Sequence, residues 1–374
     1  MLHVVLISKA LVVGAYQRKL VEIAAQPDIQ LTAVVPPYWR DGHHRQALER
    51  AHTEGYTLVV APMLRNGSFH THLYPTLPAL LRRLRPQIVH IDEEPYNVAT
   101  WHALRAARRT GARTLFFTWQ NLQRRYPTPF RQMEAWVHAH VDGALAGNQA
   151  AAQVLRDKGY QGPLRVIPQF GVDPELYCPG ERATPGPFTV GYAGRLVPEK
   201  GIDTLLSAMA GLQGDPRTWL FGGGSAREAL QAQASALGIR QRTRFYNRVS
   251  SAQMPAYLRQ LDVLVLPSRT RPNWMEQFGR VLVEAMACGV PVIGSDSGEI
   301  PNVIGDAGLI FPEGDVEALR ERLARLQHDP ALRRALGATG RERVLAHYTQ
   351  AQVARETVAF YRELMDQPRL SRRR

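Results

Sequence analysis

Cysteine is nearly absent: the 374 residues hold two, Cys178 and Cys288, with no metal-type spacing. That excludes a disulfide framework and a cysteine zinc site, and it fits reduced thiols in a cytoplasmic protein. Acidic residues are scarce beside basic ones, 33 against 46, and the net charge of +13 implies something acidic as a partner. Phosphate-bearing ligands, an anionic membrane face and nucleic acid all qualify, although no recognisable nucleic-acid module is present. No apolar run is long enough to cross a bilayer. The apolar start, Leu2 to Ser8, reads as a buried strand and not as a signal peptide. No Asp-x-Asp occurs anywhere, so the usual carboxylate clamp for a divalent metal on a nucleotide diphosphate is missing. The histidine pairs His43/His44, His70/His72 and His138/His140 supply no metal site: residues two apart on a helix point to different faces, and the others lack a third ligand.

What is present is an alternation of short apolar strands and helices. His3–Ser8, Leu31–Val35, Leu58–Ala61, Ile88–Ile91, Thr114–Phe117 and Gly143–Ala146 are continuous apolar runs, the mark of parallel strands covered on both faces. Helices are expected between them at Tyr16–Ala25, Leu77–Leu84, Thr100–Arg109 and Pro129–His140, giving a doubly wound sheet. A Pro/Gly-rich stretch, Cys178 to Pro187, reads as a linker. A second α/β unit follows, with strands at Thr189–Tyr192, Trp219–Phe221, Arg244–Val249, Leu261–Pro267 and Pro291–Ser295. The expected division is therefore 1–177, linker 178–187, 188–348, a C-terminal helix over 349–366 entered through a Thr349–Gln352 capping box, and a basic tail over 367–374.

Residues just past a strand's carboxyl end line ligand crevices in such sheets. By that rule Trp119, Gln120 and Asn121 are candidates on the first sheet. Asp92-Glu93-Glu94 sits similarly, and reads equally as a helix-capping acidic turn. Nine Arg and three acidic residues fall between Arg82 and Arg125, either a solvated basic face or a surface for an anionic acceptor or membrane. In the second unit Arg195 and Lys200 follow a strand, two cations able to neutralise a diphosphate. Gly222-Gly223-Gly224 fails as a dinucleotide fingerprint, because Arg227 stands where the third glycine belongs. Glu276 and Glu284 flank Phe278-Gly279, and the N–H groups of Gly279, Arg280 and Val281 would open a helix, an anion site between two carboxylates. Such a site suits a phosphate flanked by hydroxyl-rich groups. The plainer reading is a surface helix with two solvated glutamates.

Several stretches together resemble the family-4 retaining glycosyltransferases of the two-domain GT-B fold. They are Val166-Ile-Pro-Gln-Phe-Gly-Val-Asp173, Gly191-Tyr-Ala-Gly-Arg195 with Glu199-Lys-Gly201, Phe221-Gly-Gly-Gly224, Asp262-Val-Leu-Val-Leu-Pro-Ser268, Glu276-x7-Glu284 with Ala285-Met-Ala-Cys-Gly289, and Gly298-Glu-Ile-Pro301. The resemblance implies two Rossmann-like domains facing each other across a cleft, with a C-terminal helix crossing back to the first. It also implies a retaining, metal-independent transfer from a nucleotide-diphosphate sugar to a sugar or lipid-linked acceptor, with no other cofactor. Glu276 would contact the transferred sugar and Glu284 the ribose. Arg195 and Lys200 would hold the diphosphate with the backbone around Gly194, Phe278 to Leu282 and Gly14, while Arg248 and Val249 would meet the base. Many relatives place a histidine after the strand at Thr114–Phe117. This chain has Thr118-Trp119 there, and Trp119 is expected to stack on an acceptor sugar. An epimerase and a non-catalytic nucleotide-sugar-binding scaffold are the competing readings. A peripheral place on the inner face of a membrane is compatible with the charge.

Overall fold

The computed structural model describes residues 1–42, 44–180 and 186–368. His43, the middle of the expected linker (181–185) and all but the first two residues of the expected tail lie outside the described residues. The chain forms two compact units, Met1–Gly171 with the C-terminal segment from Gln350, and Val172–Thr349. The division falls at Gly171/Val172, six residues before the expected boundary. The segment after it is tied to the second unit: Val172 N–H donates to Tyr348 O at 2.8 Å, and Arg341 donates to the carbonyls of Pro174 and Tyr177.

Unit 1 begins β1 (Leu2–Ile7), α1 (Arg18–Ala24), β2 (Ile29–Val35), the hairpin β3 (Tyr38–Asp41) and β4 (His44–Ala47), then β5 (Thr57–Val60) and α2 (Leu77–Leu84). It continues β6 (Ile88–Ile91), α3 (Val98–Thr110), β7 (Arg113–Thr118), α4 (Phe130–His140), β8 (Gly143–Ala146), α5 (Gln149–Asp157) and β9 (Leu164–Val166). Seven parallel strands pair in the order β5-β2-β1-β6-β7-β8-β9. Side chains alternate across each strand, so a strand buried throughout feeds two cores. Val5 and Ile7 join Leu77, Leu81 and Leu104 on one face, while Val4 and Leu6 join Leu20, Ile23 and Leu364 on the other.

Unit 2 contains β10 (Thr189–Ala193), α6 (Ile202–Ala210), β11 (Arg217–Phe221), α7 (Arg227–Ala236), β12 (Thr243–Tyr246), α8 (Met254–Leu258) and β13 (Val263–Leu266). It ends with α9 (Arg280–Ala287), β14 (Val292–Ser295), α10 (Ile300–Ile304), β15 (Gly308–Phe311), α11 (Val316–His328) and α12 (Pro330–His347). Its six parallel strands run β12-β11-β10-β13-β14-β15. The doubly wound sheets expected from the apolar runs are thus present in both units. The hairpin, α5, β9, α7, α8, α10, β15, α11 and α12 were not anticipated: most carry polar faces that blur the pattern, and α8, α10 and β15 are only four or five residues long. Among the described residues no helix is long and apolar enough to cross a membrane.

The last helix, α13 (Gln350–Asp366), belongs to unit 1 and packs on α1 and the sheet. Its Phe360 and Leu364 lie so close to β8 that a Cβ on Gly143 would sit 2.8 Å from Leu364. Tyr361 Oη meets Nδ1 of the buried His90 at 2.7 Å. Helix α13 therefore closes one face of the first core. Leu364→Ala should lower stability by about 2–5 kcal/mol through transfer and cavity terms, read in a denaturant titration of the full chain. A loss below about 0.5 kcal/mol, the range of an ordinary surface change, would mean that α13 does not close that core.

Candidate active site

In each sheet the strand order reverses beside its first strand, and the crevice beyond the carboxyl ends there is the general ligand position of doubly wound folds. In unit 2 that point lies between β10 and β13. Strand β10 delivers Gly194 and Arg195, and β13 leads through Pro267 to Ser268. Lys200 arrives on a turn closed by Gly201, whose φ of +63° favours glycine and where a Cβ would stand 1.9 Å from Pro267 O. Arg269 N–H donates to Glu199 O at 2.8 Å, zipping the two loops together.

This packing brings Lys200 Nζ to 2.5 Å from Glu276 Oε2, and Ser268 Oγ donates to the same oxygen at 2.7 Å. The two charged side chains are only 14% and 9% exposed, so the pair is mostly withdrawn from water. The ammonium also lies 4.8 Å from the Trp274 ring centre, a cation–π contact. The backbone of Glu276 is fixed as well: Glu299 N–H donates to its carbonyl at 3.2 Å, and Gly298 (φ +55°) approaches so closely that a Cβ would stand 2.2 Å from that oxygen.

Gly279, with φ +75°, is the N-cap of α9, and Phe278 just before it packs edge-on against Tyr348. Leu282 is in the core, and the half-buried Val281 packs against it. One turn on, Glu284 Oε1 is 2.8 Å from Arg280 Nε, and beside it stands Tyr177, whose hydroxyl donates to Ser251 O at 3.1 Å. Burial pushes the Glu284 carboxyl up, and Arg280 opposes that shift. Arg195 is 65% exposed and 3.6 Å from Glu199. Arg248 is exposed, and Val249 is half-buried against the core. The fold therefore brings Lys200, Ser268 and Glu276 together and forms a second group from Tyr177, Arg280 and Glu284, while Arg195 and Arg248 reach solvent.

The reversal in unit 1 lies between β1 and β6, and Asp92-Glu93-Glu94 stands there. This is not a helix cap, because α3 starts only at Val98, after Asn97. The three side chains turn instead to groups at neighbouring strand ends. Ser8 Oγ donates to Asp92 at 2.7 Å and Gln169 Nε2 at 3.0 Å. Lys9 Nζ is bonded to Glu93, with His72 Nε2 3.5 Å away. Burial opposes the Glu93 charge, but Lys9 and His72 outweigh it and hold the carboxyl at about 2. Glu94 accepts from Thr118 Oγ1 at 2.5 Å and Trp119 N–H at 2.9 Å, yet burial pushes its carboxyl to about 7.

Trp119, expected to stack on a sugar, is built into the wall. A Cβ on Gly147 would lie 2.1 Å from its Cε3, and its Nε1 donates to Gln169 at 2.8 Å. Gln120 and Asn121 are buried, and Gln120 Oε1 accepts from Lys158 at 2.9 Å. Gly14 N–H donates to Glu49 at 2.7 Å. Among the residues of these sites that carried no role in the sequence reading are Lys9, Tyr177, Ser268 and Trp274. Ser268 and Lys9 follow strands and were open to the same positional rule. Trp274 and Tyr177 come from irregular segments and carry no such signal.

The chain matches two family profiles in succession: "Glycosyltransferase Family 4" over residues 14–176 and "Glycosyl transferases group 1" over 179–343. It is 38% identical over 159 residues to a GDP-mannose-dependent monoacylated alpha-(1-6)-phosphatidylinositol monomannoside mannosyltransferase of Corynebacterium glutamicum, covering 41% of this chain and 42% of that one. It is 30% identical over 273 residues to a D-inositol 3-phosphate glycosyltransferase of Stackebrandtia nassauensis, covering 66% and 60%. The matches thus span about half the length of these curated relatives. Among solved structures it is similar to sucrose-phosphate synthase from Thermosynechococcus elongatus (TM-score 0.74, 23% identity, 98% and 99% covered). It is also similar to Anabaena HepE in complex with UDP (TM-score 0.74, 18% identity, 97% and 100% covered). These likenesses show the GT-B fold.

The raised carboxyl of Glu94 has a stability consequence. A carboxyl at about 7 in the folded chain against 4.5 unfolded leaves the folded state holding the extra proton, so stability falls as pH rises through that window. Between pH 5 and 8 the native protein should lose up to about 3 kcal/mol relative to Glu94→Gln, which cannot titrate. Urea unfolding at the two pH values measures it, and parallel pH profiles would refute the shift.

Proposed function

Because the chain belongs to the family-4 glycosyltransferases, we propose that it transfers a sugar from a nucleotide-diphosphate sugar to a sugar or lipid-linked acceptor, with retention and without a metal. The observation that carries this reading is the pairing of Lys200 with Glu276 and Ser268 at the switch point of unit 2. Breaking a glycosidic bond to a diphosphate builds positive charge on the sugar and negative charge on the departing phosphate. A lysine ammonium beside a carboxylate answers both: Lys200 faces the leaving oxygens, and Glu276 holds the sugar. One well-placed donor of this kind is worth roughly 3–4 kcal/mol in the transition state.

The remaining donor contacts follow from position. Glu284 takes the ribose hydroxyls, its proton balance tuned by Arg280. The backbone from Phe278 to Leu282 and at Gly194 meets the diphosphate with Arg195, whose exposure leaves it free to swing in. Arg248 and Val249 meet the base. Trp119, Gln120 and Asn121 shape the acceptor side as fixed wall, and Glu94 beside them offers a carboxyl to an acceptor hydroxyl. No divalent ion enters this scheme, because lysine and arginine supply the positive charge. Two relatives are named for GDP-mannose and for inositol 3-phosphate, and a similar structure binds UDP, so GDP- and UDP-sugars lead the donor search. The net charge of +13 favours an anionic or lipid-linked acceptor at the inner membrane face.

The test is a thermal-shift panel of the full chain with GDP, UDP, ADP and their sugars in EDTA, followed by transfer assays. A nucleotide at about a hundred times its Kd should add roughly 2.7 kcal/mol, a shift of a few degrees. Lys200→Ala leaves Glu276 with Ser268 alone, so it should cost stability as well as lower kcat by about a hundredfold or more in the protein that remains folded. Release of free sugar or epimer without transfer would favour an epimerase, and binding with no turnover would favour a scaffold. No shift with any nucleotide would sink the proposal.

A further inference from the structure

The outer edge of the second sheet carries a feature that the transfer reaction does not use. Trp219 pairs with Arg244 and Phe221 with Tyr246 across β11 and β12, so Arg217, Trp219 and Phe221 share one face with Arg244 and Tyr246. Toward the carboxyl end this face is covered: Tyr257 of α8 lies 5.2 Å from the Phe221 ring and 5.5 Å from Tyr246. Helix α8 is only five residues long, and the cover stops there. At the amino end Trp219 stays partly exposed, and a cavity of about 570 Å³ opens, lined by Asp215, Arg217, Trp219, Gln241, Arg242 and Arg244. Ligand pockets fall in the range of about 300–1,000 Å³.

The charges around this cavity are unbalanced. Three guanidiniums face one carboxylate, and among the described residues none of the three is in an ion pair. Two are held in place by neutral partners, Arg242 by Gly214 O at 3.3 Å and Arg244 by Tyr246 Oη at 3.2 Å. Some arginines of the unit meet carboxylates, as Arg195 meets Glu199 and Arg320 meets Glu317, and others stand singly on the surface; here three gather around one cavity. Three like charges gathered around an indole disfavour one another until an anion arrives. Arginine forks match phosphate oxygens in pairs, and an indole presents a flat apolar face to a sugar or base.

We propose that this cavity is a second anion site, which binds a phosphate monoester carried on a ring: a nucleoside monophosphate or a sugar phosphate. Arg217, Arg242 and Arg244 take the phosphate, and Trp219 takes the ring. The site is separate from the crevice at β10 and β13. Arg217 opens β11, and its carboxyl end, where Gly222 packs against Gly194 O, lies four residues or about 13 Å further on. The inference does not rest on the transfer reaction.

Tryptophan emission of the full chain, titrated separately with GMP, mannose 1-phosphate and inorganic phosphate, tests it. At least one ring-bearing ligand should give a saturable change below about 1 mM, tighter than inorganic phosphate. The response should vanish in Trp219→Phe, weaken by about tenfold or more in Arg217→Gln/Arg244→Gln and in Arg242→Gln, and persist in Lys200→Ala. Comparing the two ring compounds decides between base and sugar. The proposal is overturned if no probe saturates, if inorganic phosphate binds as tightly as both ring compounds, or if the arginine variants respond like the native chain.

Discussion

Glu276 is a carboxylate placed where water hardly reaches, and the second unit depends on how that charge is kept. A buried charge is tolerated only when paired and hydrogen-bonded, and losing one partner leaves the other uncompensated. Lys200 and Ser268 meet this need on one oxygen. Lys200 can reach because Gly201 has no side chain to strike Pro267, and Glu276 stays in register because Gly298 lets the next strand's loop close on its carbonyl. The glycines, the strand ends and the pair are therefore one constraint seen from several sides.

The two sheets solve this problem in parallel. In unit 1 Lys9 follows β1 and pairs with Glu93 after β6; in unit 2 Lys200 follows β10 and pairs with Glu276 after β13. Each lysine also lies against aromatic rings, Trp39 and Phe69 in one case and Trp274 in the other. The environments then diverge. Unit 1 crowds three adjacent carboxylates against Lys9, the buried Lys19 and His72, so that Glu93 is held at about 2 while Glu94 is pushed to about 7. Neighbouring acids driven in opposite directions give one fixed charge and one exchangeable proton, which is the separation that acid–base work requires.

The legibility of all this from sequence divides along physical lines. The buried parallel strands could be read because both faces are apolar, and Ile88–Ile91 and Gly143–Ala146 end where the pattern places them. Helices α11 and α12 could not, because their polar surfaces hide a narrow buried stripe of Leu319, Leu323, Leu326 and Val344. Lys200 and Glu276 were legible as candidates, since each follows a strand or a glycine turn. Their pairing was not, because 76 residues separate them and only the crossover brings them together. Trp119 shows the converse case. Its position after β7 fits a ligand wall, but nothing in the sequence shows that Gly147 takes up its ring.

The charge excess can be placed on the molecule. Both crevices are nearly neutral by pairing: Lys9 with Glu93, Arg195 with Glu199, Lys200 with Glu276 and Arg280 with Glu284. The surplus arginines stand outside them, as with Arg82, Arg83 and Arg85 at the end of α2 and Arg105 and Arg109 on α3, all exposed. Charge held in close pairs sets local chemistry and contributes little to the distant field. Unpaired charge on outer faces does the reverse: it draws in anionic partners over roughly a Debye length, about 8–10 Å in physiological salt. The +13 is therefore a property of encounter and not of bond breaking, and a variant that removes outer arginines should change the salt dependence of capture while leaving the chemical step alone.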